Sequence, residues 1–136
     1  MGEAVGAGVR QGGGPTVDLR VRTAFEAQAD DLTWCRAVIL GTPANFGYMS
    51  GALKDFFERT YPLCLGRTEG LSYALFAKGD SDVDGAVASV ERIVAGLRWK
   101  RVAPPLAVVG ALTQKDLDAA WDLGATVAAG VEAGIF

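Results

Sequence analysis

The chain contains no histidine, and this absence excludes more than any feature present. A Ser-His-Asp or Cys-His nucleophile cannot be assembled, and no imidazole is available to ligate a metal. Chemistry would have to come from carboxylates, lysines or a bound cofactor. Cysteine is nearly as scarce. Cys35 and Cys64 are the two present, and they fit no metal-ligand or Cys-x-x-Cys spacing. They read as reduced, buried thiols of a cytoplasmic chain in preference to a disulfide. No apolar run approaches the roughly 20 residues that a membrane span needs. The first residues lack the basic-then-apolar order of a secretion signal. Basic residues do not cluster: 13 of them face 16 acids, for a net charge of −3. Nucleic acid and membrane are therefore not expected partners.

The rest of the composition is that of a globular protein, with 136 residues, half of them hydrophobic and 21% charged. This size suits one domain, residues 1–136, able to bury about 70% of its unfolded surface. Gly2–Gln11 reads as a short helix, ended by Gly12-Gly13-Gly14-Pro15. Thr16–Thr23 alternates Val17, Leu19 and Val21 with Asp18, Arg20 and Arg22, the period of a half-buried edge strand. Asp30 and Asp31 are placed to cap a short helix through Leu32 and Trp34. Ala37–Leu40 is continuously apolar, as in a strand buried on both faces. Ser50 would cap a helix that buries Leu53, Phe56, Phe57 and Tyr61 and stops before Pro62. Leu71–Ala77 and Pro104–Gly110 are further strands. Val83, Val87, Val90, Val94 and Leu97 form one helical stripe, and Leu117, Trp121, Gly124, Ala128 and Val131 a second. Gly124 costs that last helix about 1 kcal/mol against Ala, which suggests close packing there. Strict alternation of this kind predicts an α/β fold with a mainly parallel sheet and helices on both faces.

Two connections carry unusual chemistry. Thr42–Gly51 and Lys78–Gly85 both follow strands, and ligands of open α/β sheets sit at the carboxyl ends of the strands. Phe46 and Tyr48 offer flat faces, Gly47 allows close backbone approach, and Asn45 brings a donor and an acceptor. Such a loop suits a planar heteroaromatic ligand. On spacing alone, it is an equal reading that Pro43 and the glycines turn the chain while Phe46 and Tyr48 fill core.

The stretch GTPANFGYMSGALKDFFERTYP, Gly41 to Pro62, resembles the flavin-ring loop and following helix of the flavodoxin-like NAD(P)H-dependent FMN reductases and quinone reductases. Gly41, Thr42, Pro43, Phe46, Gly47, Met49, Ser50, Gly51, Lys54, Phe56, Glu58 and Arg59 match that pattern. The resemblance implies a three-layer flavodoxin-like fold and FMN as cofactor, with NAD(P)H as electron donor and a quinone, free flavin or similar small molecule as acceptor. It implies that Thr42, Pro43, Ala44, Asn45, Phe46, Gly47 and Tyr48 wrap the isoalloxazine. Lys78, Gly79 and Asp80 would open a second flavin loop that runs to Asp82 and is more acidic than the family's. No side chain is implied as a catalytic acid or base, which agrees with the missing histidine. The family's members are dimers or tetramers, so a homodimer or higher homo-oligomer is expected.

The same comparison lacks a first strand and phosphate loop ahead of Gly2, some 15–20 residues of a βαβ unit. One expectation is that the native start lies upstream or that the chain was shortened. Others are that Thr16–Thr23 moves inward to pair with Ala37–Leu40, or that a second chain supplies an edge. Losing three charge-assisted hydrogen bonds to a phosphate would weaken FMN binding by roughly a thousandfold. Two alternatives to the reductase follow: a flavodoxin-type electron carrier without its own substrate, and a chain that folds without binding flavin. Asp80–Glu91 also fits the EF-hand spacing, but an apolar strand leads into it and the Val83 stripe asks for helix, so a solvated loop and helix start is expected. Trp34, Trp99 and Trp121 read as core or interface aromatics, and nothing near Cys64 in sequence favours its thiolate.

Overall fold

The computed structural model describes residues 1–136. In chain order the elements are α1 (Gly2–Gly12), α2 (Ala29–Trp34), β1 (Ala37–Pro43), α3 (Gly51–Cys64) and β2 (Ser72–Gly79), then α4 (Val83–Gly96), β3 (Lys100–Arg101), β4 (Leu106–Val109) and α5 (Gln114–Glu132). All strand pairings are parallel, and β2 is their centre. It pairs with β1 from Ala37↔Ser72 to Pro43↔Lys78 on one side. On its other side β3 lies beside Ser72 and Tyr73, and β4 beside Phe76 to Gly79. Between them the chain leaves the ladder at Pro104 and Pro105, which have no N–H to contribute.

Alternation along β2 divides the core. Tyr73, Leu75 and Ala77 point into the larger cluster with Leu32 of α2, Phe56 and Phe57 of α3, and the Val83, Val87, Val90, Val94 and Leu97 stripe. Ala74 and Phe76 point the other way, towards Leu123 and Val127 of α5. On that face α1 packs along α5 through backbone. A Cβ on Gly124 would strike the Val5 carbonyl, and one on Gly8 the Trp121 carbonyl. The close packing expected at Gly124 is present. The structure is thus the flavodoxin-like three-layer α/β arrangement, with a parallel sheet between helical layers.

Several expectations need correction. Thr16–Thr23 forms no strand and joins no sheet: Thr16 lies in a turn and residues 17–23 have no regular structure. Its alternating pattern had no neighbouring strand to pair with, and Val21 is left 64% exposed. Ion pairs hold it instead: Arg20 and Arg22 reach Asp31 at 3.2 and 3.8 Å, Arg20 covers the Trp34 ring at 3.8 Å, and Thr16 bonds Glu132. Trp34 is consequently a surface residue, while Trp99 is buried and donates to Thr68 at 2.9 Å. Ala37, Val38 and Ile39 are only half-buried, because β2 is the sole strand beside β1. The cap of α2 is Gln28, with Asp31 closing a capping box from the third helical position. Helix α3 runs through Pro62 to Cys64. Pro62 sits on the solvent side of the helix, where the bond its ring cannot donate is not needed to hold buried structure. In α5 the sheet-facing residues are Leu123 and Val127, while Leu117, Trp121 and Val131 are half-buried. The Trp121 indole donates to Gln11 of α1 at 2.8 Å.

Two measurements test this packing. Helix propensity alone would make Gly124→Ala stabilising by about 1 kcal/mol. The Val5 carbonyl cannot give way, so we expect a loss of about 1–3 kcal/mol in urea unfolding. Gly6→Ala meets only the flexible end of Arg10 and should gain up to about 1 kcal/mol. The second measurement concerns acid. The Gln28 amide, first, and then Arg20 and Arg22 hold the Asp31 carboxyl below its ordinary value, against an opposing desolvation. Its folded pKa is depressed, so its contribution is present above about pH 4 and is lost as pH falls through the lowered value. Asp31→Asn should flatten that part of the acid limb of a stability–pH curve.

Candidate functional site

The site lies where β1 and β2 end together. Because Pro43 is level with Lys78, the loops that follow emerge side by side, and the Ala44 amide donates to the Lys78 carbonyl at 2.8 Å. Asn45 and Tyr48 then exchange main-chain bonds at 2.9 Å each. Between them Phe46 and Gly47 both take positive φ, 53° and 67°. This is the I′ geometry of a two-residue hairpin, normally given to Asn-Gly or Gly-Gly. A phenylalanine held there costs roughly 1–2 kcal/mol, yet its ring packs on nothing and is fully exposed (107%). Tyr48 is partly exposed beside it. The core-filling reading of Phe46 is therefore wrong.

The base of this loop is tightly tied. The Thr42 hydroxyl accepts from the Ser50 amide at 2.9 Å and donates to the Pro43 carbonyl at 2.7 Å. The Met49 amide donates to Ser89 of α4 at 3.0 Å, and Ser50 caps α3 by accepting from Leu53 at 3.1 Å. Thr42 is buried and already engaged, so its part in a ligand site is to set the wall.

The second loop leaves β2 at Gly79, where a Cβ would press on Ala44 at 2.7 Å, and the Gly79 carbonyl accepts from Gly110 at 2.8 Å. Asp80 and Ser81 are exposed, and Asp82 turns the chain at φ 46° into α4. Because α4 already begins at Val83, most of the EF-hand spacing is helix instead of an ion-binding loop. Val109, the last residue of β4, and Leu112 just beyond it are exposed at the same carboxyl edge of the sheet. An open depression of about 300 Å³ lies next to these loops, lined by Met1, Thr42, Pro43, Phe76 and Lys78.

The structure thus brings together all the residues proposed from sequence, Thr42–Tyr48 and Lys78–Asp80, at one end of the sheet. Sequence reasoning placed Asp82 at the end of the second loop but missed that it joins Gly85, while Ser89 bonds Met49, so that α4 couples the two loops. A left-handed aspartate gives no local signal, although the Gly85 spacing could have flagged a cap. The thiols stand apart from this chemistry. Burial pushes Cys35 up to about 11 and raises Cys64, which is fully buried.

No protein-family model matches the sequence, and no curated protein matches it. Solved structures do. A flavodoxin from the domain Archaea is 22% identical, with 96% of this chain and 87% of that one covered, at a TM-score of 0.82. The Streptococcus pneumonia TIGR4 flavodoxin is 19% identical over 93% and 86%, at 0.76. An NADPH-quinone reductase from P. pentosaceus is 15% identical over 90% and 87%, at 0.63. These likenesses establish the flavodoxin-like fold.

Phe46→Gly tests whether the turn holds its ring at a cost. Relief of the left-handed strain should raise the urea midpoint by an amount worth up to about 1 kcal/mol, after the entropy Gly adds to the unfolded chain. A loss of stability would show instead that the ring packs on the protein.

Proposed function

We propose that the chain is an FMN-dependent redox protein, acting as an NAD(P)H oxidoreductase on a quinone, free flavin or similar small acceptor. The observation that carries this reading is the Asn45–Tyr48 turn, which holds an aromatic ring in water at the carboxyl end of a flavodoxin-like sheet, beside a second glycine-containing loop. A fully exposed phenylalanine in a strained turn has no structural use, whereas it offers a face for a planar ring to stack on.

The residues present fit the ring of FMN better than its phosphate. Phe46 and Tyr48 supply apolar faces. The exposed Asn45 and Asp80 side chains would bring polar groups to the ring, and Pro43, Ala44, Gly47 and Gly79 would hold the two loops around it. The N-terminus of α1 and Lys78 border the Thr42 depression and would place positive charge there for a phosphate. When bound, FMN supplies the hydride and electron transfer. The protein's work is to orient the ring, exclude water from one face and place negative charge from Asp80 nearby. A homo-oligomer is part of the proposal, since β1 has a free edge.

A second reading, a flavodoxin-type electron carrier, is favoured by the openness around Phe46, which leaves the ring edge accessible to a protein partner. It also draws support from the greater similarity to flavodoxins than to the quinone reductase.

Titration with FMN, followed by quenching of flavin fluorescence, tests the shared part. We expect saturable 1:1 binding. Phe46→Ala should weaken it further by about tenfold, the worth of one stacked ring. No binding at millimolar FMN would remove both readings. Oxidation of NADH or NADPH with menadione as acceptor separates them: FMN-dependent turnover supports the reductase, and FMN binding without turnover supports the carrier.

A further inference from the structure

Asp82 ends the second loop, and neither reading gives it a task there, yet it occupies the junction of the two loops. Its backbone is left-handed, at φ 46°. One carboxylate oxygen accepts from the Gly85 amide at 3.1 Å, capping α4. The other oxygen fills the space where a Cβ of Gly47 would stand, with the Asp82 carboxyl carbon 3.1 Å from that point. A Cβ on Gly85 would meet both Asp82 oxygens, at 2.8 and 2.9 Å, and would also strike the Gly47 carbonyl. Gly47, Asp82 and Gly85 are therefore interlocked: with the Asp82 carboxylate in place, neither Gly47 nor Gly85 has room for a Cβ. The Ser89 bond to Met49 fastens the same helix to the far end of the ring loop.

We propose that Asp82 is a positioning residue for the ring loop: wedged between α4 and Gly47, it fixes the Asn45–Tyr48 turn in the form that presents Phe46. This deepens the flavin reading and rests on it for its consequence, though not for its geometry. The wedge needs a forked, planar group of carboxylate size with an oxygen to accept from Gly85. It does not need the charge.

Asp82→Gly removes the wedge yet keeps the left-handed backbone and loses little as a cap. Asp82→Asn keeps the shape. Amide hydrogen exchange of the FMN-free protein reads the loop directly, because the Asn45 and Tyr48 amides are both bonded across the turn. We expect both to be protected in the wild type and in Asp82→Asn, and to exchange at least tenfold faster in Asp82→Gly, with Leu75 unaffected. FMN titration should follow the same order, with about a tenfold loss for Asp82→Gly and less than about threefold for Asp82→Asn. Gly47→Ala should weaken FMN binding severely in the wild type and by about tenfold less in the Asp82→Gly background, because the clash is then gone. Unchanged protection in Asp82→Gly, an additive double-mutant cycle, or Asp82→Asn behaving as Asp82→Gly would each overturn the proposal. If the wild type binds no FMN, the exchange data still decide it, while the flavin reading fails separately.

Discussion

The parallel pairing of β1 with β2 is the constraint on which the site depends. Its register brings Pro43 level with Lys78, so two loops 35 residues apart along the chain leave the sheet at the same height. Shifting that register by one residue would turn Leu40 out of the main core and Gly41 into it. The inward set of Leu40, Tyr73, Leu75 and Ala77 therefore fixes the site as well as the fold. Ala44 and Gly110 extend the ladder past the ends of β1 and β4 with two further main-chain bonds, to Lys78 and Gly79. The loops consequently begin from a rigid floor, and what varies above it is confined to a few residues.

The two helical layers are not equivalent. The layer of α2, α3 and α4 is joined to the sheet by a large cluster of interdigitated side chains. The layer of α1 and α5 has a small cluster against the sheet and a glycine-lined seam between the helices. Stability is therefore concentrated on the first face, where α3 and α4 also carry the caps and bonds that hold the ring loop. Beyond β1 the sheet stops, and Thr16–Thr23 stands apart on ion pairs to Asp31. Such exposed pairs are each worth less than about 1 kcal/mol, so this is the least firmly held part of the fold.

How much was legible in the sequence follows from how local each signal was. The α4 stripe from Val83 to Leu97 is read correctly because helix burial is a property of one segment's spacing. The Ser50 cap and the Gly124 contact are legible for the same reason. Thr16–Thr23 has an equally clear pattern and still forms no strand, because a strand is completed by its neighbour and none is present. Pro62 was misjudged because the effect of a proline depends on which side of the helix it occupies. Lys100–Arg101 is too short to show any period. The loops were located correctly from their glycines and aromatics, but the part of Asp82 was hidden, since a left-handed aspartate is made by its contacts with Gly47 and Gly85 and not by its neighbours in sequence.

The central claim is that a flavin ring lies between the two loops, and amide chemical-shift mapping during FMN addition tests it most directly. The account predicts that the largest shifts fall on Ala44–Tyr48 and Gly79–Asp82, with no movement in α5 or in the open groove that Val102–Leu106 forms against Ala119, Leu123 and Thr126 of α5. Shifts centred on that groove, or spread evenly over the surface, would contradict it.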